Sequence, residues 1–287
     1  MTIEAISGAA TVALTSTILF LLIAKSWHAL SRTVGSTPNF ADSIMHEAAQ
    51  RFRDELERIS GSQAIYLSGA LVFVVLFAAA YVLQAQNLFA GYPSWQLWLQ
   101  IGFLFMAALV AGWRLGRTVV AYRQVRFVRD ANVAVGHQLQ KISTGGNRIF
   151  HDVKTTAGIV DHVLVGRSGI YAINVVARRG RKNGNATLKD SYLTFSGCNE
   201  RTPIVDITAS TARLEKEVCR LLGHKIRIRS VIAVPGWSIG EQASRHHLLV
   251  NERTIPMLRG WRDQSDYLMD EDVEALHEEL TARCRRK

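Results

Sequence analysis

Two neighbouring apolar runs each carry one polar residue at a depth where burial is expected. The first is GIVDHVLVG, Gly158 to Gly166, with Asp161. The second is GIYAINVVA, Gly169 to Ala177, with Asn174. Side chains alternate between the faces of a strand, so Asp161 shares a face with Ile159, Val163 and Val165, and Asn174 with Ile170, Ala172 and Val176. If the runs pair through the Gly166–Gly169 turn, a carboxylate and an amide meet on one side of a sheet. Such a pair can offer oxygen ligands to a hard cation such as Mg2+, or it can hydrogen-bond to itself and to sheet amides. One carboxylate with one amide holds a divalent ion far more weakly than two carboxylates.

Basic residues supply the other chemistry. ARRGRK follows the second run directly and brings Arg178, Arg179, Arg181 and Lys182 together. KIRIR puts Lys225, Arg227 and Arg229 on one strand face. Three readings stand side by side: solvated surface, contact with a phosphate backbone, and docking on anionic lipid headgroups. No interleaved aromatics mark a single-strand groove. In Arg245-His246-His247 the adjacent histidines point to opposite faces, as a surface or hydrogen-bonded pair would. Cys198, Cys219 and Cys284 are far apart, with no CxxC, so neither a disulfide framework nor a zinc site is expected. There is no Gly-rich phosphate loop, no Ser/His/Asp order and no repeat.

These residues need a frame. DANVAVGHQLQKIS reads as a helix, with Val133, Val135, Leu139 and Ile142 at helical spacing. RIFHDVK precedes the two runs as a third strand, and NATLKDSYLTFSG reads as a pair of short strands. DITASTARLEKEVCRLLG is a helix, with Ala212, Val218, Leu221 and Leu222 as buried candidates and Gly223 as its stop. KIRIRSVIAVPG is a strand ending at Pro235. DEDVEALHEELTARCRRK is a final helix with Asp270 as candidate cap. The order is helix, three strands, hairpin, helix, strand, helix: an α/β domain around a mixed sheet, residues 129–287.

The arrangement resembles the NERD (nuclease-related domain) family, with its PD-(D/E)xK nuclease-like fold. The similarity runs from about Ala131 to Arg259 and is carried by GIVDHVLVGRSGIYAINVVARRG and by ANVAVGHQL before it. In active members, the resemblance implies, two carboxylates hold a divalent metal, a lysine adds positive charge near the nucleophile, and a helix glutamate completes the site. Here Asp161 falls on the first acid, Asn174 on the second, Val176 on the lysine and Asn132 on the glutamate. In TPIVDI, Pro203 is kept and Asp206 stands where a further polar partner would be. Three of four positions have lost their charge, so the resemblance leaves Asp161 as the one metal-ligand candidate, with Mg2+ as cofactor only if the site is active. The expectation is a nuclease-like frame that binds an anionic partner without cleaving it. Two alternatives are an active metal-dependent nuclease with a relocated lysine, Lys154 or Lys189, and a structural membrane-assembly subunit.

The first 115 residues read as a membrane region. The uncharged apolar stretches Gly8 to Ala24, Ala64 to Leu83 and Leu97 to Trp113 predict helices over about 8–26, 64–84 and 97–114, each near the roughly 17–25 residues that a crossing helix needs. Between the first two, a helical stripe of Phe40, Ile44, Ala48, Phe52, Leu56 and Ile59 predicts an amphipathic helix over 40–59, ended by Gly61. That helix could lie on the membrane, on the soluble domain, or on a second copy of the chain. Residues 116–128 form a basic linker or helix extension. Net charge is −1 before Arg114 and +11 from it onward, within a chain total of +10. Lys and Arg are absent before the first stretch and between the second and third, and concentrated elsewhere. The positive-inside rule then predicts three crossings of an inner membrane, with the N-terminus outside and the C-terminal domain cytoplasmic. Expected partners are membrane lipids, nucleic acid, and a protein partner or second copy.

Overall fold

The computed structural model describes residues 3–33, 45–82, 94–143, 146–180, 184–189, 191–244, 246–259 and 268–284. The chain divides into two compact units, Met1–Thr37 with Glu55–Val125, and Pro38–Asp54 with Arg126–Lys287.

The first unit is helical. It holds α1 (Ile3–Thr33), most of α2 (Gln50–Val82) and the first part of α3 (Ser94–Ile142). α1 and α2 pack closely: a Cβ on Gly69 would lie 2.6 Å from the Leu21 side chain. Leu67, Leu71, Val74 and Val75 on α2, and Trp98, Phe103, Phe105 and Trp113 on α3, are exposed. Apolar side chains pointing outward over several turns suit a lipid surrounding better than water. Among the described residues, two segments are long and apolar enough to cross a membrane, Gly8–Trp27 and Gln50–Ala80.

Two expectations change. The third stretch, 97–114, is not a helix of its own and is not among those two segments. It is part of a 49-residue helix, α3, that carries Gln100 and continues through Arg114 and Arg117 to Ile142. The amphipathic helix expected over 40–59 is not a separate element either. Residues 34–44 lie outside the described residues. Helix begins only at Gln50, after Ala49 in a left-handed conformation (φ 64°), and it runs through Gly61 to Val82. A glycine between good helix formers costs about 1 kcal/mol relative to alanine, too little to stop a helix that continues into twenty apolar residues.

The second unit holds two sheets. One has five strands in the order β1-β2-β3-β7-β9: β1 (Arg148–Thr155), β2 (Gly158–Gly166), β3 (Gly169–Val175), β7 (Ile228–Ala233) and β9 (His247–Val250). β1, β2 and β3 are antiparallel, while β3, β7 and β9 are parallel, so the sheet is mixed. The other has four strands in the order β6-β5-β4-β8: β4 (Asn185–Lys189), β5 (Tyr192–Phe195), β6 (Thr202–Pro203) and β8 (Ser238–Ala243). One sheet face packs Val163, Val165, Ile170 and Ala172 against α4 (Val205–Leu222) and α5 (Asp270–Arg283). The opposite face packs Leu164, Tyr171 and Ile173 against Val135, Leu139 and Ile142 of α3.

α4 buries Leu214 and Val218, one turn apart, while Ala212 and Leu221 are exposed and Leu222 is half-buried. The stripe facing the sheet is thus shifted from the one expected. Gly223 closes the helix in the left-handed conformation (φ 75°), its N–H on the Cys219 carbonyl. Asp270 is the first helical residue of α5 rather than its cap, and the Asp272 carboxylate accepts the Met269 N–H.

Candidate functional site

β1 and β2 carry mirrored dipeptides, His151-Asp152 and Asp161-His162. Their register pairs His151 with His162 and Val153 with Val160, which leaves Asp152 facing Asp161 across the ladder. The two-residue alternation breaks here. Phe150 and Val153 enter the same core, as do Val160 and Val163, although each pair is three residues apart. Asp152 takes up the irregularity with φ 53°, a left-handed backbone that non-glycine residues adopt at a cost of about 1 kcal/mol or more. Both carboxylates are buried.

A cation sits with them. Arg51, in the first turn of α2, donates from Nη2 to Asp161 Oδ1 at 2.6 Å. Its Nε lies 3.7 Å from Asp152 Oδ1, and its backbone N–H donates to Asp152 Oδ2 at 3.2 Å. The guanidinium also lies 4.4 Å over the Phe52 ring. The second oxygen of Asp161 accepts the Val175 N–H at 2.7 Å. Burial still dominates: it pushes the Asp161 carboxyl up to about 6, against the pull of Arg51 and the Val175 N–H. Burial likewise raises Asp152 against Arg51.

Behind the acids, His151 and His162 meet with their Nδ1 atoms 2.7 Å apart and their rings perpendicular. Burial lowers His151 to about 4 and holds His162 well below its ordinary range. The pair is therefore neutral, one Nδ1 donating and the other accepting. Beside the pair, next to α3, is a cleft of about 830 Å3 lined by His46, Arg53, Gly136, His137, Arg148 and His151, among others. Backbone bonding ties its rim to α5, since the His46 N–H donates to the Cys284 carbonyl at 2.9 Å. The Cys284 thiol is buried and pushed up to about 12, which leaves it inert.

The residues anticipated from sequence are distributed as follows. The β2–β3 register ends at His162 with Ile173, one position short of setting Asp161 opposite Asn174. The described hydrogen bonds of Asp161 go to Val175 and Arg51, not to Asn174. Asn174 is buried, and its Nδ2 has no hydrogen-bond partner among the described residues. Val176 packs partly buried against the core between the two sheets. Asn132 is buried in α3, and its Nδ2 donates to the Val128 carbonyl one turn back. Asp206 is exposed in the first turn of α4. Lys154 is exposed on β1, and Lys189 ends β4 in the other sheet.

The basic cluster after β3 is less open than its sequence implies. Arg178 pairs with Glu200, which raises its pKa, and Arg179 lies 5.2 Å over the Phe127 ring. The Arg178 carbonyl accepts the Trp237 indole N–H at 3.0 Å. Arg181 and Lys182 lie outside the described residues, as does Arg245. Lys225 and Arg227 are exposed.

With this geometry in hand, comparison with known families gives one match. Residues 129–235 match the NERD family, the nuclease-related domain. No curated protein and no solved structure matches the chain. The NERD segment covers a little over a third of the chain and includes α3's last turns, β1 to β7 and α4. Arg51 and Asp152 thus come from opposite sides of its boundary, and Arg51 is the residue that sequence reasoning missed. The mirrored His-Asp and Asp-His dipeptides were the signal for Asp152. No local signal pointed to Arg51, which is 110 residues from Asp161.

Proposed function

We propose that this chain is a membrane-anchored NERD-domain protein that binds an anionic partner through its basic second unit and does not cleave it. The observation that carries this reading is Arg51. A metal-dependent nuclease needs carboxylate oxygens free for a divalent ion. Asp161 has one oxygen on a guanidinium and the other on a backbone N–H, and Asp152 shares the same guanidinium. Among the described residues no three His, Cys, Asp or Glu side chains gather as a metal set. Asn174 and Val176, at the second-acid and lysine positions of the resemblance, add neither charge nor a proton-transfer group. This donor set does not fit Mg2+. The fixed guanidinium supplies locally the positive charge that an ion would bring.

An anionic partner is supported by the charge of the second unit, whose 28 Lys and Arg against 21 Asp and Glu leave a net of +7. Three crossings of an inner membrane, with the N-terminus outside, remain the topology favoured by the distribution of Lys and Arg.

The test uses the full chain in neutral-lipid nanodiscs, with plasmid and single-stranded DNA and Mg2+ or Mn2+. The expected result is retention that falls steeply with salt, without strand cleavage. Cleavage that disappears in Asp161→Ala would overturn the reading.

A further inference from the structure

α3 changes character within one turn. Its uncharged apolar stretch ends at Trp113, and Arg114 and Arg117 follow. No Asp or Glu occurs in the sequence from Arg58 to Arg129. Further along the helix, Arg126 and Arg129 have Asp130 as an ion-pair partner. Arg114 and Arg117 are exposed and enter none of the described ion pairs. Three residues apart, they are neighbours on the helix surface.

Beside Arg117 an open groove of about 550 Å3 runs along the helix, lined by Gly112, Trp113, Gly116, Arg117, Val120 and Gln124, among others. Gly112, Gly116, Val120 and Gln124 recur every four residues and so form one row on the surface. The two glycines leave the floor as bare backbone. A Cβ on either would meet no described atom within 4 Å, whereas one on Gly69 would run into Leu21. Trp113 and Arg117 form the wall, with the guanidinium 5.9 Å over the indole. That contact uses a face of the guanidinium and leaves N–H donors at its edge. Tryptophan favours the bilayer interface, and Arg117 stands one turn, about 6 Å, further out. The guanidinium is then in the headgroup layer, which is about 5–8 Å thick on each side of the hydrocarbon.

We infer that this groove is a site for an anionic phospholipid such as phosphatidylglycerol. Its phosphate lies on Arg114 and Arg117, and its glycerol and upper acyl carbons cover Gly112 and Gly116. Two guanidinium groups on a segment without acids supply the charge and the planar donors that a phosphate diester takes. A zwitterionic lipid brings an ammonium that offsets this attraction. A second copy of the chain is the competing occupant, since glycines four residues apart let membrane helices approach closely. A symmetric pair packed on this groove would set Arg117 near its own counterpart at the membrane edge, where like charges repel. The lipid relieves that charge, and the second copy adds to it. The site rests on the proposed crossing by the third stretch, and it gives that crossing a defined lipid.

The full chain in a neutral detergent is incubated with equal amounts of phosphatidylglycerol and phosphatidylcholine, and bound lipids are counted by native mass spectrometry. The wild type is expected to retain phosphatidylglycerol over phosphatidylcholine by about tenfold or more, and Arg117→Gln to lower that ratio about fivefold. Gly116→Leu fills the groove with a good helix former and should lower it by a comparable factor. Arg126→Gln removes the same charge from the same helix outside the groove, and should change the ratio less than about twofold. Wild-type ratios in both Arg117→Gln and Gly116→Leu overturn the site and leave the anchor in place. An equal loss in Arg126→Gln reduces the effect to total charge and also overturns the site. A dimer that only Gly116→Leu converts to monomer, with the lipid ratio unchanged, overturns it in favour of a second copy. A wild-type chain that stays in solution without detergent or lipid overturns the site and the anchor together.

Discussion

At Asp161 two opposing effects can be separated by pH. Burial raises the carboxyl to about 6, above its unfolded value near 3.8, even with Arg51 beside it. A raised carboxyl contributes stability that is complete below the unfolded pKa and is lost as pH rises through about 6. Asp161→Asn carries no such dependence. Its stability relative to wild type should therefore rise between pH 4 and pH 8, by up to about 3 kcal/mol, in denaturant unfolding followed at each pH. Arg51→Ala should act in the opposite sense at pH 8, because it leaves two buried acids without their cation. The guanidinium is one-third exposed, so the loss should be about 2–3 kcal/mol, near the lower end for a buried pair. Asp161→Asn in the Arg51→Ala background should recover part of it. A double variant as unstable as the sum of the two single losses would show that the two residues do not interact.

Among the elements, the strands buried along most of their length were legible in advance. β1, β2, β3 and β7 each carry a run of β-branched or aromatic residues bounded by Gly or Pro, and that pattern is what burial in a central sheet demands. β8 was not legible: five of its six residues are exposed, and it is held by its register with β4 rather than by an apolar face. The mixed α/β character therefore followed from sequence, while the division of strands into two sheets did not. At the site, Asp161 and Asn174 were visible as polar intrusions. Their companions Asp152 and Arg51 depend on a register and on a contact across 110 residues, which no local pattern carries. The segment between β3 and β4 has its own anchor. A Cβ on Gly180 or Gly184 would approach the Trp237 ring to 2.1 or 2.4 Å. Gly184→Ala should lower stability by about 1–3 kcal/mol through overpacking, measured by thermal unfolding, and should loosen Arg178 from the indole N–H. A variant as stable as wild type would mean that the indole does not hold this segment down.

The whole molecule joins an outward-facing apolar helical unit to a strongly basic α/β unit. The first holds two segments capable of crossing a bilayer, and the second carries the NERD match. The proposed topology makes a direct prediction: alkaline phosphatase fused after residue 287 should be inactive in cells, and a fusion inserted between residues 85 and 93 active. An active C-terminal fusion would reverse the orientation. The second unit is also discontinuous in sequence, for it takes residues 38–54, which run into the first turn of α2, and the remainder from Arg126 onward. A ribosome makes Arg51 first and Asp152 and Asp161 more than a hundred residues later. During that interval the arginine has no acids to answer, and the sheet, once it emerges, has two carboxylates that only an earlier part of the chain can neutralise. Closure of this contact therefore has to wait until residues from both ends of the unit have been made. A fragment cut at the obvious junction near residue 126 would present a sheet whose acids lack their own counter-charge, and its behaviour toward metals would describe the fragment rather than the protein.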